Sequence, residues 1–126
     1  MMRIFLVIAA IFGASSVAAG AFASHALKST LSAQALTTFE TGARYQMYHA
    51  LALLITSLLL TQSPNTQNYL IVASWAFIIG ILLFSGSLYI LSLTGIKWLG
   101  AITPLGGVSF LLGWLALLLA AWHLKL

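Results

Sequence analysis

The 126-residue chain contains no cysteine and a single acidic residue, Glu40. Without cysteine there is no disulfide framework, thiolate metal site, iron–sulfur cluster or cysteine nucleophile. One carboxylate excludes, within one copy of the chain, acid/base catalysis by paired carboxylates and a carboxylate-bridged metal. Charge of either sign is scarce, at 5% of residues where about a quarter is ordinary in a soluble domain. The five cations, Arg3, Lys28, Arg44, Lys97 and Lys125, are dispersed along the chain. No basic stripe exists to track phosphates, which excludes nucleic acid as a partner.

What is plentiful is apolar. Hydrophobic residues make up 62% of the chain, too many to leave a water-facing surface. A membrane-spanning helix takes roughly 20 apolar residues, so about four spans would use some 80 positions and leave only short connections. The chain therefore reads as one integral membrane domain over 1–126, with the lipid bilayer as its first partner and little room for a separate catalytic domain. Most of the cations fall in junctions between spans, where they meet lipid headgroups.

The expected architecture is all-α: an antiparallel bundle of four transmembrane helices over about 4–24, 45–61, 69–93 and 102–124, with a short interfacial helix before the second span. Ala21-Phe22-Ala23 could also end a cleaved leader, but the preceding apolar run is long for one, and it is taken as the first span. Ser24 to Thr38 is more polar and predicts a loop followed by the interfacial helix. The fully apolar part of span two is short, Ala50 to Leu60, so its first turns must rest against protein or headgroups. Ser63-Pro64-Asn65 marks a turn. Thr94-Gly95 breaks the third helix, Lys97-Trp98 forms an interfacial anchor, and Thr103-Pro104 supplies an N-cap and a first-turn proline. Arg3 and Lys125 oppose Lys28, Arg44 and Lys97, which leaves orientation open.

Small residues recur at helical spacing in two places. Ala9, Gly13, Ser16 and Gly20 make a narrow stripe on the first span; Gly106, Ser109, Gly113, Ala116 and Ala120 make one on the fourth. Such stripes permit close backbone approach, so the first and fourth helices are expected to pair.

Five runs carry a resemblance to a known family. They are Gly20-Ala21-Phe22 with His25-Ala26-Leu27, Phe39-Glu40-Thr41, the stretch Arg44 to Ala50, Phe84-Ser85-Gly86-Ser87-Leu88-Tyr89, and Leu99 to Gly107. Together they resemble the domain of unknown function 423 family, small membrane proteins related to the eukaryotic transmembrane protein 256. The resemblance covers nearly the whole chain and implies a short multi-span protein. It implies no reaction, substrate or catalytic residue.

The candidate polar cluster is Glu40, Arg44, Tyr45, Tyr48 and His49, because ionisable residues inside a membrane are costly and often functional. On one continuous helix Glu40, Arg44 and Tyr48 follow at i,i+4 steps within about 80°, so they can form a ladder, with Glu40 and Arg44 as an ion pair. His49 lies about 180° from Glu40, beside Tyr45. It reads as a neutral core histidine bonded to a backbone or hydroxyl group, with a proton relay or a ligand as the functional alternative. His25 could meet it on the same membrane side, although the spacing does not specify a haem. Ser74, Ser85 and Ser92 share a face of the third span, with Tyr89 nearby, and suit packing better than conduction. No metal, cofactor or catalytic set is assigned. The expected role is non-enzymatic: an accessory subunit or oligomeric scaffold, as a homo-oligomer or within a larger membrane complex. The alternative is a carrier or channel for a small molecule, lipid or proton that uses Glu40, Arg44, Tyr48 and His49.

Overall fold

The structure, a computed structural model, describes residues 1–125, and these are helical throughout with short connections. The first helix, α1 (Met2–Phe22), runs on through a π-helical stretch, Ala23–Leu27. A tight turn follows, and Ser32 then caps α2 (Ala33–Leu59), its hydroxyl accepting from the Ala35 N–H at 3.1 Å. The cap satisfies one of the donors that every helix start leaves free. A 3₁₀ turn, Pro64–Thr66, leads into a single long rod made of α3 (Gln67–Gly80), a π-helical segment Ile81–Ser85, and α4 (Gly86–Thr94). Gly95 ends that rod at φ 72°, its N–H bonding the Leu91 carbonyl. This left-handed position is open to glycine at little cost. A second 3₁₀ turn, Lys97–Ala101, connects to α5 (Thr103–His123), with Pro104 in its first turn.

Three of these stretches are long and apolar enough to cross a membrane: Met2–Leu27, Pro64–Thr94 and Lys97–His123. Helix α2 matches them in length, but Glu40, Arg44, Gln46 and His49 lower the hydropathy of its first half. The outer surface is apolar along α1, the α3–α4 rod, α5 and the second half of α2. Leu111 is 70% exposed and Trp122 84%, an arrangement stable in lipid and not in water.

Helix pairing departs from the sequence expectation. The two largest contacts are α1 on α2 and α5 on α3, and the expected close pairing of the first and fourth spans does not form. The stripe on α5 is used on the α3–α4 rod. A Cβ on Gly106 would overlap the Phe84 backbone, and one on Gly113 would strike the Phe77 ring. Ser109 Oγ donates to the Ala76 carbonyl at 2.7 Å, while Ala116 and Ala120 are buried. On α1, Ala9 and Ser16 are buried, whereas Gly13 and Gly20 face open space.

Two further expectations are corrected. The short interfacial helix is not separate, because α2 runs unbroken from Ala33. Nothing in Leu36 to Tyr45 breaks it: Thr37, Thr38 and Thr41 each donate to the carbonyl four residues back, and Gly42 sits against Tyr89. Thr103 is not the cap of α5. Ile102 holds that position, and the Thr103 hydroxyl pairs instead with Ser87 Oγ at 2.6 Å, tying α5 to α4.

Candidate functional site

Helix α2 lies at the centre of the polar chemistry and divides it between two faces. The inward face carries Gly42, Gln46, His49, Leu53 and Thr56, buried at alternating steps of four and three. His49 is enclosed by aromatic rings: Phe110 stacks on it at 3.5 Å between centroids, with Phe77 and Trp114 close by. Its Nδ1 lies 2.7 Å from the Tyr45 carbonyl, which can only accept, and its Nε2 lies 3.1 Å from the Trp114 indole N–H, which can only donate. Together they require the neutral ring with its proton on Nδ1. The histidine therefore serves as a hydrogen-bonded pin between α2 and α5.

One turn away, Gln46 joins three helices. Its Nε2 donates to the Phe12 carbonyl at 2.9 Å and to Ser15 Oγ at 2.7 Å, both on α1. Its Oε1 accepts from the Tyr89 hydroxyl of α4 at 2.6 Å. Ser16 Oγ donates to the Ala43 carbonyl and Ser85 Oγ to the Gly42 carbonyl, each at 2.7 Å. Among the described residues, no buried side-chain nitrogen or oxygen lacks a partner.

Glu40 and Arg44 lie away from this network. They flank a groove of about 380 Å³ between α1 and α2, to which Ser16 and Gly20 contribute from α1, Ser24 from the π-helical stretch after it, and Ala43 and Met47 from α2. The expected Glu40–Arg44–Tyr48 ladder does not form, since no carboxylate and cation come within 4.0 Å among the described residues. Tyr48 is exposed and packs on Tyr45, whose ring also leans on Phe84 at 4.8 Å. His25 is exposed in the π-helical stretch and does not meet His49. Ser74 and Ser92 are buried and bond carbonyls of their own helix, Ser74 also reaching Thr56 of α2 at 3.2 Å. Among the described residues, no group of three or more His, Asp or Glu could hold a metal ion.

Gln46 was the residue that sequence reasoning passed over. Its signal is the spacing of Gly42, Gln46, His49, Leu53 and Thr56, a buried seam that runs through the polar stretch. Attention to ionisable groups concealed it.

An all-helical chain with an apolar exterior and a satisfied polar interior defines a multi-pass integral membrane protein. The model of the family described as protein of unknown function (DUF423) matches residues 19–107, and the chain belongs to that family. It is 44% identical over 119 residues to a UPF0382 membrane protein of Staphylococcus aureus strain bovine RF122, covering 94% of this chain and 95% of the relative. Identity to the UPF0382 membrane protein YwdK of Bacillus subtilis is 42% over 120 residues, 95% of this chain and 97% of the relative. A UPF0382 membrane protein of Staphylococcus saprophyticus is 41% identical over 123 residues, 98% of this chain and the whole of the relative. No solved structure matches the chain.

Proposed function

We propose that the protein is a non-enzymatic interaction protein with four antiparallel spans, acting as an accessory subunit or oligomeric scaffold in a membrane complex. The observation that carries this reading is the complete internal use of the buried polar groups. His49, Gln46, Ser16 and Ser85 are committed to neighbouring helices, and Ser57, Thr66 and Ser92 to carbonyls of their own segments, so each already has a partner inside the fold. What the protein offers to others is its outer surface. The fourth span in this reading is α2, whose 27 residues reach about 40 Å, the full thickness of a bilayer with its headgroups. Leu51, Leu54, Ile55 and Leu58 give its second half the same apolar exterior as its neighbours.

The carrier alternative needs Glu40, Arg44, Tyr48 and His49 around one cavity. The first two border the α1–α2 groove, while His49 is packed among rings on the other face, which favours the interaction role. Native mass spectrometry after gentle extraction from the original membrane tests it. A stoichiometric second protein, or a defined number of copies, is the expected result. A bare monomer under conditions that preserve known complexes, together with proton or solute flux abolished by Glu40→Gln, would overturn the reading.

A further inference from the structure

We propose that the groove between α1 and α2 is a binding site for one membrane phospholipid with a primary-amine, zwitterionic headgroup. Two charges of opposite sign border the groove, and neither forms an ion pair within 4.0 Å among the described residues. Arg44 offers a planar fork of N–H donors that matches a phosphate, and Glu40, one turn away, offers an acceptor for an ammonium group. Ser24, whose hydroxyl hydrogen goes to the Gly20 carbonyl at 3.1 Å, keeps its oxygen as a further acceptor at the same rim. Because Glu40 and Arg44 cancel, the groove suits a headgroup that carries both charges better than an anionic one.

Depth and shape point the same way. Gly20 lies seven residues before Leu27, and Glu40 lies seven residues after Ala33, so both sit about 10 Å in from neighbouring helix ends. In helices about 40 Å long around a hydrocarbon core of about 30 Å, that is about 5 Å inside the core boundary, so Glu40 and the Arg44 stem reach outward and the bound headgroup is drawn inward to meet them. Below Gly20 the α1 wall is low, because a Cβ on Gly20 or Gly13 would meet nothing within 4 Å. Val17 beside them is exposed, so the trough opens sideways into lipid and an acyl chain can lie along it.

The test is native mass spectrometry of the purified, delipidated protein titrated separately with dioleoyl phosphatidylethanolamine, phosphatidylcholine and phosphatidylglycerol. The ethanolamine lipid should add once, with roughly five- to tenfold tighter binding than the choline lipid, whose quaternary ammonium has no N–H to give Glu40. Glu40→Gln should erase that preference and raise the affinity for the glycerol lipid, because Arg44 is then uncompensated. Gly20→Leu should fill the trough and weaken all three lipids while the helical content and thermal midpoint hold, since a Cβ there meets nothing within 4 Å and the side chain points into the groove. Equal binding of the three lipids to the unmodified protein, or an ethanolamine preference that survives Glu40→Gln, overturns the proposal. So does a lipid-free dimer that Gly20→Leu separates, which would make a second copy the occupant.

Discussion

At the scale of single residues, the amide of Gln46 holds more of the bundle together than either charge. It is bonded to α1 through Phe12 and Ser15 and to α4 through Tyr89. In a membrane the apolar effect gives helices little reason to associate, and interhelical hydrogen bonds average about 0.6 kcal/mol each. Replacing Gln46 by leucine removes three of them and strands the half-buried Tyr89 hydroxyl, so the variant should lose about 1–2 kcal/mol in reversible unfolding from mixed micelles. Tyr89→Phe should cost less alone and little more in the Gln46→Leu background, because the two residues share one bond. Full additivity of the pair would show that the bond contributes nothing.

At the scale of helices, the small-residue stripes mark where a backbone can be approached and leave open which neighbour approaches. Gly106 meets the Phe84 backbone, so Gly106→Ala should destabilise the protein by about 1–3 kcal/mol as α5 is forced off the π-helical segment. Gly13→Ala, on the expected partner stripe, should leave stability unchanged or raise it by up to about 1 kcal/mol, since its Cβ meets nothing and alanine suits a helix interior better than glycine. Comparing the thermal midpoints of the two variants in one detergent checks the contrast. The apolar runs and the breaks at Ser63-Pro64 and Thr94-Gly95 made the rods legible in the sequence. Pairing was not legible, because it depends on shape matches such as Gly113 with Phe77 that lie 36 positions apart. The continuity of α2 was hidden as well, since Thr37, Thr38 and Thr41 make the sequence polar between the expected interfacial helix and the second span, yet they return their hydroxyls to their own helix. His49 was readable as a bonded core residue from its isolation on the helix face, but its indole partner is 65 positions away.

At the scale of the whole molecule, the proposed four spans fix which connections share a side of the membrane. The absence of cysteine makes this directly measurable. Single cysteines at Ser29 and Lys97 should react with a membrane-impermeant maleimide from one side, and a cysteine at Asn65 from the other. Labelling of Ser29 and Asn65 positions from the same side would mean that α2 does not cross. The spacing of Glu40 and Arg44 also has an electrical consequence. Their backbones are four residues apart, about 6 Å along the axis, or a fifth of a hydrocarbon core of roughly 30 Å. A membrane potential acts on a unit charge with about 2.3 kcal/mol per 100 mV across the whole core, so on this pair it acts with only about 0.5 kcal/mol. That is below thermal energy, and the groove should hold the same shape and the same occupant in an energised membrane as in a resting one.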